Sequence, residues 1–108
     1  MTPEGRVKKR VKYVLAEADR MLGRVYSNWP VPAGYGKPML DCVGCFKGRF
    51  FAIETKAPGK KPTPLQRLTA EQMGAAGATV FIIEDEQGVE ELWAWLVKCS
   101  SLPDIAPS

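Results

Sequence analysis

The chain has 108 residues, 45% of them hydrophobic and 25% charged, enough for a single domain with its own core; no apolar run approaches the roughly 18 residues of a membrane span, so a cytoplasmic protein without membrane contact is expected. Histidine is absent and only three cysteines are present, which excludes Ser-His-Asp and Cys-His catalysis, histidine-containing zinc sites and a disulfide framework. The net charge of +3 is unevenly spread: residues 1–67 hold 14 of the 15 Lys and Arg against five acids, a net +9, and the remainder nets −6, a split that suits a polyanion, nucleic acid first, facing the basic part.

Thr2-Pro3-Glu4 reads as a helix start, with Thr as N-cap, Pro in the first turn and an acid near the positive end of the helix dipole. Val7, Val11, Val14, Leu15, Ala18 and Leu22 follow at helical spacing to about Gly23, and Arg6, Lys8, Lys9, Arg10 and Lys12 occupy the outer surface. A short strand over Val25–Trp29 gives way at Pro30 to a loop rich in Pro and Gly, in which Trp29 and Tyr35 either stack on bases or anchor the loop. Met39–Phe46 and Arg49–Lys56 read as two strands joined by the two-residue turn Lys47-Gly48.

Ala57–Pro62 is a basic loop. Thr63 caps a second helix from Pro64 to about Ala76, closed by Gly77, and Ala78–Glu84 reads as a continuous apolar strand of the buried, parallel type. A last helix is expected over Gly88–Lys98, with Val89, Leu92, Trp93 and Leu96 inward, and residues 100–108 as a loose tail beyond a domain spanning 1–99. The order α-β-β-β-α-β-α, with a crossover that should be right-handed, describes an α/β fold: a small mixed sheet flanked by helices.

Two features of residues 38–58 compete for the chemistry. Cys42 and Cys45 form a Cys-x-x-Cys, but a structural zinc site needs four ligands and only Cys99 remains. A redox pair belongs at a helix N-terminus, where the dipole lowers the thiol pKa, whereas this pair lies in a strand, three residues apart and so on opposite faces. The cysteines read as small apolar fillers, with a thiol redox protein as the rival.

The second feature is the hairpin itself. With Lys47-Gly48 as the turn, Phe46 pairs with Arg49 and Asp41 falls opposite Glu54, about 5 Å apart at Cβ, with Lys56 two residues on and on the same face. Like charges directly opposite destabilise a sheet, and a divalent cation with oxygen ligands would compensate them. Two carboxylates around Mg²⁺ with a lysine to hold and polarise water suit metal-assisted phosphodiester hydrolysis. An ordinary exposed face carrying an Asp and a Glu-Lys pair is the plainer reading.

Residues 38–83, from PMLDCVGCFKGRFFAIETKAPGKKPTPLQ through AAGATVFII, resemble the VRR-NUC branch of the PD-(D/E)XK nuclease superfamily, and the small single-domain members of phage type above all. The resemblance extends from Thr2 to about Lys98, although Met39-Leu40-Asp41 stands where many relatives have Pro-Asp. It implies a restriction-endonuclease-like core, Mg²⁺ or Mn²⁺ dependence, and Asp41 and Glu54 as metal ligands, with the Thr55 carbonyl as a further one. It matches Lys56 to the catalytic lysine, Glu4 to an acid on the first helix that supports the site and the metal, and Gln66, eleven residues before Gly77, to a glutamine that orients the water. It also implies action on branched DNA such as four-way junctions, as a homodimer, in the host cytoplasm if phage-encoded.

The residues themselves leave both auxiliary roles open. Glu4 shares a helical face with Val7 and Val11 and equally serves the helix dipole, and Gln66 completes a Thr-x-x-Gln capping box with Thr63. Arg6, Lys9, Lys12, Lys37, Lys60 and Lys61 are the candidate phosphate contacts. The acidic second part, or the helix carrying Trp93 and Trp95, would form the dimer interface. A nucleic-acid-binding protein that keeps the fold without catalysis is the alternative.

Overall fold

The computed structural model describes residues 1–31, 34 and 36–105, so Tyr35, one of the two loop aromatics singled out above, lies outside the described residues. Helix α1 (Pro3–Met21) starts as its sequence dictates: Thr2 is extended and its hydroxyl accepts the Gly5 N–H at 3.0 Å. Its apolar stripe, Val7, Val11, Val14, Leu15 and Ala18, is buried. Four strands follow as one sheet in the order β1 (Val25–Asn28), β2 (Cys42–Phe46), β3 (Arg49–Thr55) and β4 (Thr79–Ile83). The first two junctions are antiparallel and β3–β4 is parallel. Helix α2 (Pro64–Ala75) makes the crossover between β3 and β4, and α3 (Glu86–Ser100) closes the chain. The order α-β-β-β-α-β-α is the one the sequence predicts.

The hairpin turn sets the register. Lys47 (φ 53°) and Gly48 (φ 80°) both take left-handed backbone, the conformation that matches a two-residue turn to the twist of its strands. Phe46 pairs with Arg49 and Cys42 with Ile53. One sheet face carries Val25, Cys42, Phe46, Phe51, Ile53 and Ile83 into a core shared with α1 and α3. Trp95 meets Phe51 and Phe81 edge-to-face, at 5.9 and 5.6 Å between ring centroids. Helix α2 lies against the other face, where a Cβ on Gly74 would come within 3.9 Å of Val80.

The structure departs from the sequence reading in several places. The second strand begins at Cys42 and not Met39, because Asp41 bends out of the ladder. The last helix begins two residues early, at Glu86, because Asp85 is its N-cap and accepts the Gly88 N–H at 3.0 Å. Strand β4 is parallel as expected but is an edge strand: Ile83 is buried while Ile82 is 41% exposed. The one short helix over that face buries Thr69 alone among its residues. Beyond α3, Asp104 and Ile105, within the stretch expected as a loose tail, contact the hairpin turn: the Ile105 N–H donates to the Lys47 carbonyl at 3.1 Å, and Lys47 Nζ lies 2.9 Å from Asp104. No helix among the described residues is long and apolar enough to cross a membrane.

Gly44 is the tightest point of the sheet. It pairs with Phe51, whose ring lies across it, and an added Cβ would meet the Tyr26 carbonyl oxygen at 2.2 Å and the ring at 2.5 Å. Backbone cannot yield as a flexible side chain can, so Gly44→Ala is expected to cost about 2–3 kcal/mol, read as a fall in the urea midpoint at unchanged m-value.

Candidate active site

The backbone ladder between β2 and β3 ends at Cys42 and Ile53, and the next rung, Asp41 with Glu54, is built from side chains. The Asp41 N–H donates to Glu54 Oε1 at 3.2 Å. In return the Thr55 N–H and the Thr55 hydroxyl both donate to Asp41 Oδ2, at 2.9 and 2.7 Å. Lys56 Nζ stands 3.5 Å from Glu54 Oε2. The Lys56 N–H donates to the Ile83 carbonyl at 2.9 Å, which carries the β3–β4 pairing one residue past the strand. The two acids and the lysine thus meet at one end of the sheet, at the C-terminal end of β3. Asp41 occupies a bend and turns its carboxylate toward Thr55.

Glu54 is 2% exposed and the Lys56 side chain 13%. Burial raises the Glu54 pKa above the ordinary value, and the neighbouring Asp41 charge raises it further. Lys56 and the Asp41 amide oppose the shift without cancelling it. Without a cation, this end of the sheet therefore holds a carboxylate at a cost.

The other candidate residues lie on the flanking helices and loops. Glu4 is half-buried in the first turn of α1, and its neighbours Pro3, Arg6 and Val7 line a cleft of about 300 Å³ together with Pro58 and Glu84. Among the described residues no three Asp, Glu, Cys or His side chains gather closely enough to hold a metal ion, so Asp41 and Glu54 stand as a pair. Gln66 completes the capping box: its N–H donates to Thr63 Oγ1 at 3.2 Å, and its Oε1 accepts the Thr63 N–H at 2.9 Å. Its amide nitrogen takes no part in the box. Arg6, Lys9, Lys12, Lys37, Lys60 and Lys61 are all exposed. Lys12 lies 4.9 Å from the ring centroid of Trp29, which packs against the core, so Trp29 anchors its segment.

Cys42 is buried and Cys45 exposed, on opposite faces as their spacing requires. Burial pushes the Cys42 thiol up to about 12, the reverse of what a redox pair needs. A cleft of about 630 Å³ bounded by Gly48, Phe50, Met73, Ala78, Trp95 and Ile105 opens at the opposite end of β3. It is away from these groups.

Sequence reasoning missed the Thr55 side chain, for which it assigned only the carbonyl.

Because the folded pKa of Glu54 exceeds its unfolded value, the folded state binds the Glu54 proton more tightly. That contribution to stability is complete below the ordinary value of 4.5 and is lost as pH rises through the raised folded value. In chelator, the stability of the wild type relative to Glu54→Gln is expected to fall across that window. Denaturant midpoints at stepped pH measure it, and a pH-independent difference between the two proteins would contradict it.

The chain matches no protein-family model and no curated protein. A solved structure titled "VRR_NUC domain" is similar to it with a TM-score of 0.69 and 24% sequence identity, over 85% of this chain and 95% of that one. On that likeness the protein has the fold of a VRR_NUC domain.

Proposed function

We propose that the protein is a metal-dependent nuclease that hydrolyses DNA phosphodiester bonds, with Asp41, Glu54 and Lys56 as its reacting centre. The observation that carries this reading is the buried Glu54 carboxylate, held beside a second acid and a lysine at the end of an otherwise apolar strand. Accepting the Asp41 N–H needs only a neutral oxygen; a hard cation would account for a charged one, and the fold likeness agrees with that reading.

The donor set fits Mg²⁺ or Mn²⁺. Asp41 and Glu54 offer carboxylate oxygens and Thr55 a carbonyl, all hard ligands, and a site with so few protein groups suits an ion that keeps several of its waters. Glu4 would contribute from the first turn of α1, outside the pair. When bound, the ion supplies Lewis-acid polarisation of the scissile phosphate.

The chain's own groups do the rest. Lys56, fixed by the Glu54 ion pair and by its backbone bond to Ile83, orients the attacking water and offsets charge that builds on the phosphate oxygens. Gln66 can share the orienting of that water through its amide nitrogen while its oxygen stays in the capping box. Lys60 and Lys61, exposed on the loop that follows Lys56, hold flanking phosphates, with Arg6, Lys9, Lys12 and Lys37 extending the basic surface. A branched substrate such as a four-way junction offers two equivalent strands, which suits a two-fold dimer.

A labelled four-way junction should be cut in Mg²⁺ and left intact in EDTA. Lys56→Ala should slow cutting by about 100-fold or more while the protein melts as the wild type does. Binding without cutting under every metal condition would identify a nucleic-acid-binding protein that keeps the fold. In EDTA, where binding is read alone, the Lys60→Ala, Lys61→Ala double variant should lower the slope of log affinity against log salt by about 2, one for each lost phosphate contact.

A further inference from the structure

We propose that the Thr55 side chain is the positioning residue of the cation site: its hydroxyl, with its own backbone N–H, pins Asp41 Oδ2 and thereby presents Asp41 Oδ1 to the ion. The inference rests on the metal-dependent reading above and adds to it a residue whose side chain has no role there.

Thr55 is fully buried, at 0% exposed, on the sheet face that also carries Phe51 and Ile53. A buried position on that face calls for Val or Ile, and a buried hydroxyl is costly unless it is hydrogen-bonded. Its partner is Asp41 Oδ2, 2.7 Å away, the same oxygen that accepts the Thr55 N–H at 2.9 Å. Two donors converging from one residue fix both the position of that oxygen and the plane of the carboxylate.

Asp41 needs such a clamp. It lies in a bend just beyond the last backbone rung of the hairpin, and its own N–H is spent on Glu54 Oε1. Its placement therefore relies on the buried side chain of Leu40 on one side and on Thr55 on the other. With the hydroxyl removed, Oδ2 keeps one donor and the carboxylate regains rotational freedom beside the Glu54 charge. Groups that orient a metal-ligating carboxylate are commonly worth 10–100-fold in metal affinity.

The test titrates MnCl2 calorimetrically into the metal-free wild type, Thr55→Val and Thr55→Ser. The dissociation constant should rise about 10-fold or more in Thr55→Val and return close to wild type in Thr55→Ser. In junction cleavage, the Mg²⁺ concentration for half-maximal rate should rise in Thr55→Val, while the rate at saturating Mg²⁺ stays near wild type. A packing role alone would not produce that separation. Unchanged Mn²⁺ affinity in Thr55→Val, or equal losses in the Val and Ser variants, would overturn the inference and leave the nuclease reading standing. A wild type that binds no Mn²⁺ would take down both. Should Thr55→Val fail to fold, Thr55→Ala is read in its place, and failure of both to fold would assign the hydroxyl to the fold and end the proposal.

Discussion

The structure turns on the rung that the hairpin makes from side chains instead of backbone. Past Cys42 and Ile53 the two strands are still held together, but by the Asp41 N–H on the Glu54 carboxylate and by Thr55 on the Asp41 carboxylate. Ordinary pairing at this position would have satisfied the same backbone groups at lower electrostatic cost. The arrangement costs stability because a buried carboxylate sits beside another, and the raised pKa of Glu54 records the strain. Natural folds tolerate such local conflict at functional sites when the surrounding structure over-determines it. Here the surroundings are the fully buried Phe51, Ala52 and Ile53 just before Glu54 and the parallel partner β4 just after it.

That over-determination begins six residues away from Asp41, at the turn. Lys47 and Gly48 adopt the left-handed backbone that makes Phe46 face Arg49, and every later pair follows. A slip of one residue would send the whole apolar set of β3 to the other face. The core contacts of Phe51 and Ile53 therefore defend the same register that brings Asp41 to Glu54, so packing and chemistry are specified by one choice.

Much of this was legible in the sequence because the signals were local. The Thr-Pro-Glu start of α1, the Thr-x-x-Gln box of α2 and the Lys-Gly turn each act within four residues, and each is realised. Turn geometry plus the two-residue period of strands brought Asp41 near Glu54, although Asp41 leaves the ladder and meets Glu54 through its N–H instead of as a paired rung. What the sequence hid depended on distant partners. The early bend at Asp41 reflects Thr55 hydroxyl geometry across the hairpin, which no propensity encodes. The exposure of Ile82 reflects how little of β4 a twelve-residue helix with one buried side chain can cover. The start of α3 was misplaced for a local reason: Asp85 is a good N-cap, but Gly88 three residues later drew the boundary toward itself.

The charges of the cluster explain why its three members belong together. Asp41, Glu54 and Lys56 sum to a formal −1, and burial, followed by the Asp41 charge, pushes the Glu54 pKa upward. In the proposed reading a divalent ion would bring the sum to +1, the complement of a phosphodiester, so the cluster would attract nucleic acid only when occupied. The exposed lysines on the loop after Lys56 and the basic face of α1 would attract a polyanion in either state. A protein with those surfaces alone would bind DNA without needing Glu54 at all. Under the proposed nuclease reading, a bound cation would offset the cost of burying Glu54 beside a second acid.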